Sequence, residues 1–415
     1  MTLVDFGWLL LFAFVGTMGA VMARRLFGFW FSPLAVFVGM NCASMMAFHL
    51  RLLEFSEVSP LTHFLLLVAL SCYTFGTLVA LEGSPREKLN DQSPSFDATG
   101  LDTFFTITAI LASIGWLLAV MILVGRHGLG ALLGNIWVLQ LEFQMQFIGY
   151  LNMIGILVLP TFVLKWSRGR VHFWDYALVG TALFGLLLAG IKAYLIYSML
   201  TALFVWSTTR PDKFRPSYLI GGLLIMLAFF IVYTNKVDIF VSGKFESQTW
   251  LANFPSLQRP YVYLVGSWPA LENIVNGTMP KPPMGGIVVL QPLWKLLGDG
   301  LGIIEPMPFN LPFSNIGTTF FNVYSLPGEI YWDFGWPGLI ILTTSLGYLS
   351  TKLYLRVRRL DYWAHHLIYG IIGYGLFLSP FVYSYRFNVF VILGYIFAVA
   401  FVGLRGGTLI GRIKK

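Results

Sequence analysis

The sequence predicts an all-α polytopic integral membrane protein with about eleven transmembrane helices. Three observations lead there. Of the 415 residues, 57% are hydrophobic and only 11% charged, with a mean hydropathy of +0.74. Apolar runs near spanning length recur through most of the chain, and the basic residues between them are unevenly shared. That composition excludes an ordinary soluble protein. The formal net charge of +8 follows the loops and forms no basic stripe, so membrane lipids, not nucleic acid, are the expected partners.

Taken in order, the spans fall near 4–22, 30–49, 61–81, 103–125, 147–164, 174–190, 193–206, 218–235, 333–352, 365–383 and 388–404. The first run lacks a basic leader and a small-residue cleavage site, so it reads as a retained anchor. Cys42 and Cys72 lie inside apolar runs and read as small buried hydrophobes. Eighteen of the 27 basic residues sit in the set of alternate loops that includes the tail Arg412, Lys414 and Lys415. The excess of Lys and Arg marks that side as cytoplasmic, which puts the N-terminus outside and the C-terminus inside. The chain is then one membrane domain, 1–415, with a large extracytoplasmic loop at 236–327.

The run from Trp174 to Trp206 is long for one crossing and short for two, and Lys192 sits in its middle. A single tilted helix would move Arg210, Lys213 and Arg215 outside and weaken the charge bias. Two short helices meeting at Ala189–Ala193 preserve it and hold a recessed ammonium below the outer surface. A cation there is expensive unless it binds something, and phosphate is the natural partner. Arg51, Arg126, Arg259 and Arg386 also fall on the side that the charge rule depletes. Lipid-headgroup snorkelling is the competing explanation for each.

The long loop carries Trp250, Tyr261, Tyr263, Trp268 and Trp294 among Pro and Gly. Flat rings beside polar groups suit carbohydrate, although an interfacial aromatic belt has the same composition. Val288–Leu297 is expected to form a short amphipathic helix on the membrane surface. No phosphate loop, His-Glu-x-x-His or Asp-x-Asp occurs, so no metal and no cofactor is expected, and phosphate would be met by Arg and Lys. Glu142, in the polar stretch Gln140–Gln146, and the pair Glu329/Asp333, one turn apart at the mouth of a span, are candidate general bases.

The stretch Asn322-Val323-Tyr324 followed by Tyr331-Trp332-Asp333-Phe334-Gly335-Trp336-Pro337-Gly338 resembles the segment after the large outer loop of bacterial O-antigen (Wzy-type) oligosaccharide repeat-unit polymerases. Tyr263–Leu271 resembles a segment inside that loop, and Gly190–Leu195 resembles the family's Gly-x-Arg-Ser-like turn, with Lys192 where Arg is usual. In place of a Gly eleven positions after an Arg, this chain has Ala270 after Arg259 and Trp137 after Arg126. The resemblance implies a metal-independent glycosyltransferase at the periplasmic face of the inner membrane, extending polysaccharide from polyprenyl-pyrophosphate-linked oligosaccharides. Joined to the reading of the residues, this gives Lys192, Arg259, Arg386, Arg51 and Arg126 as expected pyrophosphate contacts, a base among Glu142, Glu329 and Asp333, and glycan contacts from Tyr263, Trp268, Asn322 and Tyr324. Chain-length-regulating and flippase partners are implied as well. Two rivals stay open: an O-antigen ligase with the same donor, and a lipid-linked oligosaccharide flippase or transporter, against which the absence of an internal repeat counts.

Overall fold

The computed structural model describes residues 2–82, 100–130, 146–188, 192–237, 250–282, 285–305, 311–317, 319–359, 362–385 and 387–403. It is helical almost throughout, and each of the eleven expected spans overlies helix. Among the described residues, four helices are long and apolar enough to cross a membrane: Leu3–Phe27, Pro60–Glu82, Leu101–His127 and Ile148–Ser167. Several further apolar helices are shorter. Large apolar side chains point outward, Leu3, Phe6, Leu10, Phe14 and Met18 along the first helix among them. Asn41, Thr77, Thr108 and Thr343 are interior. That inversion is what a lipid surround favours.

The chain divides into two compact units, each assembled from separate stretches of sequence. The first comprises Met1–Glu87, Val241–Leu355 and Gly375–Phe387. Its membrane part begins with α1 (Leu3–Phe27), α2 (Pro33–His49) and α3 (Pro60–Glu82). A Thr2/Asp5 capping box starts α1, and Ser32 with Pro33 starts α2, so the first orphan amides of each have acceptors or are absent. Glycines close α3 onto the later helix Leu326–Arg359: a Cβ at Gly76 would lie 2.0 Å from the Thr344 carbonyl oxygen, and one at Gly347 2.2 Å from that of Tyr73. Tyr73 Oη and Ser350 Oγ, 2.7 Å apart, pair across this seam.

The second unit comprises Lys88–Phe240, Arg356–Tyr374 and Asn388–Lys415. It holds α4 (Leu101–His127), α5 (Gln146–Ile154), α6 (Val158–Ser167), α7 (Phe173–Leu188), α8 (Lys192–Thr209) and α9 (Pro216–Val237). A 3-10 turn at Gly155–Leu157 joins α5 to α6. Pro160 lacks the N–H that would meet the Ile156 carbonyl, and Ser198 Oγ donates to that oxygen instead, at 2.9 Å. Phe105, Ala109, Ala112, Val158, Val179 and Ala182 form the core between α4, α6 and α7. Lys165, 2% exposed, is neutralised by Asp175 at 2.8 Å and Asp102 at 3.0 Å.

The loop segment of the first unit is folded, with α10 (Pro255–Val265), α11 (Ser267–Val275), α12 (Gln291–Lys295) and a two-residue hairpin, β1 (Ser314–Asn315) with β2 (Phe320–Phe321). Then come α13 (Leu326–Arg359), α14 (Trp363–Phe377) and α15 (Phe387–Phe397). Two expectations change here. The span expected at 365–383 ends as helix at Phe377, because the next backbone groups serve tertiary partners: Leu326 N–H donates to Ser379 O at 2.8 Å, and Ser267 Oγ–H donates to Pro380 O. The amphipathic helix expected over Val288–Leu297 is helical only from Gln291; residues 285–290 form a turn, for a reason given below.

Candidate functional site

The turn expected at Ala189–Ala193 lies largely outside the described residues, which run to Leu188 on α7 and resume at Lys192 on α8. Leu188 of α7 and Trp116 of α4 both pack against the cluster of Ala119, Leu123 and Ile148. The Trp116 Nε1–H and, one turn past Ile148, the Asn152 amide nitrogen are buried donors with no hydrogen-bond partner among the described residues. Native interiors rarely leave donors so, and an ion or water is the ordinary explanation. Tyr194 lies in the next turn of α8, beside Tyr197 and Tyr150. Arg126 is exposed in the last turn of α4, where a cation suits the helix dipole.

The motif that carries the resemblance is a joint in the first unit. Ser325 Oγ accepts the Gly328 N–H and starts α13. Glu329 and Asp333 follow on its inner face, 0% and 9% exposed. Asp333 accepts three backbone N–H groups, from Gly286 at 2.9 Å, Val288 at 3.1 Å and Val289 at 2.8 Å. These amides are gathered around one carboxylate, and that is why 285–290 is a turn and not the start of a helix. Gly335, at φ 63°, and Pro337 then kink α13, a backbone that a side-chain-bearing residue at 335 would strain.

This placement bears on several of the expected roles. Asp333 accepts amides from Gly286, Val288 and Val289, which makes it a structural anchor for that turn. Glu329 is fully enclosed, so an acceptor hydroxyl cannot reach it in this arrangement. Trp268 and Tyr324 are both 0% exposed, so neither offers a ring face to a sugar. The Trp268 Nε1–H donates to Ser44 Oγ at 2.8 Å, and the Tyr324 hydroxyl donates to Pro312 O at 2.8 Å. Both fix the loop segment to its surroundings. Tyr263 and Asn322 remain half-exposed. Tyr263 follows Arg259 by one turn of α10, and Phe321 and Phe381 meet its ring edge-on at 5.9 and 5.3 Å. Burial pulls the Arg259 guanidinium down and pushes the Tyr263 hydroxyl up, the two partly offsetting each other. Glu142 and Arg386 lie outside the described residues.

Arg51 belongs to a cluster that the sequence did not disclose. It stands at φ 49°, its Nε donates to Asp5 Oδ1 at 3.1 Å, and its guanidinium lies 4.8 Å from the Phe48 ring centre. His49 Nδ1 meets the same Asp5 oxygen at 3.0 Å. Glu272, from α11, accepts from Ser59 N and Oγ and from Thr62 Oγ1, at 2.9, 2.9 and 2.7 Å, and so caps α3. Tyr261 does the complementary work at the end of α2, donating to Ala47 O at 2.7 Å. His49 and His63 lie 14 residues apart across a short loop, a spacing that signals nothing by itself. No family model, curated protein or solved structure matches the chain.

Proposed function

We propose that the chain is a multi-pass enzyme of the bacterial inner membrane that polymerises polyprenyl-pyrophosphate-linked oligosaccharide units at the periplasmic face. The observation that carries this reading is the pair of buried donors, Trp116 Nε1–H and the Asn152 amide, that have no partner among the described residues of the unit that also holds Lys192. An apolar interior that collects positive potential and spare N–H groups suits a pyrophosphate presented at membrane depth. The joint at Asn322–Gly338, which ties a folded outer segment to α13, supports the same reading through the family resemblance. In this reading eleven spans place the N-terminus outside and the basic tail in the cytoplasm.

The acceptor hydroxyl attacks the anomeric carbon of the donor chain. The carbon–oxygen bond to pyrophosphate breaks, and the leaving group departs with the electron pair. The Lys192 ammonium stabilises the charge that develops there. The acceptor's proton passes to a carboxylate. Asp333 and Glu329 are engaged or enclosed, which leaves Glu142 as the base to test. Tyr263 and Asn322 are the half-exposed groups that would meet glycan.

The test is the surface-glycan ladder of a strain lacking the gene, complemented with the wild type, Lys192→Arg or Lys192→Ala. Polymer restored by the wild type and Lys192→Arg, with core plus a single unit from Lys192→Ala, supports the reading. Normal chain lengths from Lys192→Ala overturn the phosphate role. Core without any repeat in the deletion strain, with polymer retained on the lipid carrier, makes the protein a ligase.

A further inference from the structure

In the first unit, at the end of the helices where α1 begins, α2 ends and α3 begins, two imidazoles face each other: His49 Nε2 lies 2.9 Å from His63 Nε2. The side chains are closed off, with His49 2%, His63 1% and Asp5 5% exposed. The other nitrogen of each ring is already committed. His63 Nδ1 lies 2.7 Å from the Ser59 carbonyl oxygen, which can only accept, so that nitrogen carries a hydrogen. His49 Nδ1 lies 3.0 Å from Asp5 Oδ1. Asp5 accepts from Arg51 Nε, Thr2 N and Thr2 Oγ1, so its carboxylate is an acceptor at every contact, and His49 Nδ1 also carries a hydrogen. Two neutral rings would have no hydrogen left. Their Nε2 lone pairs would then oppose each other at a distance that only a hydrogen bond permits.

We propose that His49 and His63 form a buried proton-binding site, holding one proton between their Nε2 atoms as a histidinium–histidine pair. Charge favours it. The groups facing the pair are Asp5 from α1, Arg51 after α2, Glu272 from α11 and the Tyr261 hydroxyl from α10. Asp5 and Glu272 are negative and Arg51 positive, so one added proton makes the group neutral. Its absence leaves a net negative charge in the interior. Trp8 stacks on His63 at 4.1 Å and 15°, a face that favours a charged ring. The site ties α1, α2 and α3 together, and through the Ser59–Glu272 contacts it reaches α11. Losing the proton must drive the rings apart and loosen that docking. This inference is independent of any glycan chemistry.

The sign of the effect follows. The proton is held by the folded pair and not by the separated rings of an unfolded chain, whose ordinary titration lies at about 6.5. The contribution is therefore complete below that pH and is lost as pH rises through the folded value. The test is ring-15N spectroscopy of histidine-labelled full-length protein in lipid nanodiscs, together with melting temperature against pH. The expected spectrum at pH 6 shows a hydrogen bond between two imidazole nitrogens of different rings. The melting temperature should fall by at least about 2 °C between pH 6 and 9. His63→Gln, whose amide N–H can donate to a neutral His49, should flatten that slope. Two bare Nε2 atoms at pH 6 overturn the proposal. So does an unchanged slope in a folded His63→Gln protein, or a stoichiometric metal ion in the wild type that a chelator removes. If His63→Gln does not fold, the wild-type spectrum decides alone.

Discussion

Asp333→Asn separates an anchor from a catalytic base. One Asp333 oxygen serves Gly286 N–H, and the other serves Val288 and Val289. Asparagine keeps one acceptor and turns an NH2 group against whatever the other oxygen held. At least one buried amide then loses its partner, at roughly 1–3 kcal/mol, and the surviving bonds lose charge assistance, roughly another 1–2 kcal/mol. The total is about 2–5 kcal/mol, concentrated in the turn at 285–290. At about 1.4 kcal/mol per tenfold, local opening becomes roughly 30- to 4,000-fold more frequent. Hydrogen exchange read by mass spectrometry should show this over residues 286–289 while α1–α3 stay protected. If the amides of 286–289 keep wild-type protection and polymer synthesis is nevertheless abolished, the anchor role is wrong and the carboxylate acts in the chemistry.

Three further outcomes follow from the packing. Lys165→Met should lower stability by about 3–5 kcal/mol, because it leaves the buried Asp175 carboxylate without its cation; Lys165→Met with Asp175→Leu should recover most of that in detergent melts. Trp268→Ala should cost about 3–5 kcal/mol, as an interior ring, and reduce the amount of folded protein in the membrane. Tyr263→Ala, half-exposed, should leave melting nearly unchanged and alter the glycan ladder; normal folding of Trp268→Ala together with loss of Tyr263→Ala would reverse the two assignments.

Local signals in the sequence were enough for the helices. Each expected span meets helix because apolar length is a property of contiguous residues. The misplaced features all depend on partners far along the chain. Val288 and Val289 read as part of an amphipathic helix until Asp333, 45 and 44 residues away, takes their amides. Trp268 and Tyr324 read as sugar platforms because composition does not say which way a ring faces; Ser44, 224 residues from Trp268, decides it. Asp5 meets His49 across 44 residues, and no periodicity records such a pairing. The resemblance located the joint at Asn322–Gly338 but not its physical work, which is to bind amides and kink a helix.

These long-range contacts share a cause. Helix ends leave backbone groups without partners, and at a membrane boundary water supplies them only in part. In the first unit the outer segment supplies them instead. Glu272 takes the N–H and hydroxyls at the start of α3, and Tyr261 takes a carbonyl at the end of α2. Ser44 joins the two layers, receiving the Trp268 indole and donating to the Leu264 carbonyl at 2.5 Å. Asp333 works in the opposite direction, reaching from α13 to gather amides of the outer segment. A loop fastened at so many helix ends is positioned by the spans themselves. A substitution that spoils one cap should therefore displace Tyr263 and Arg259, on the same outer helices, without touching either. Glu272→Ala tests this directly: glycan synthesis should fall although the inserted protein remains in the membrane and Tyr263 and Arg259 are themselves unaltered.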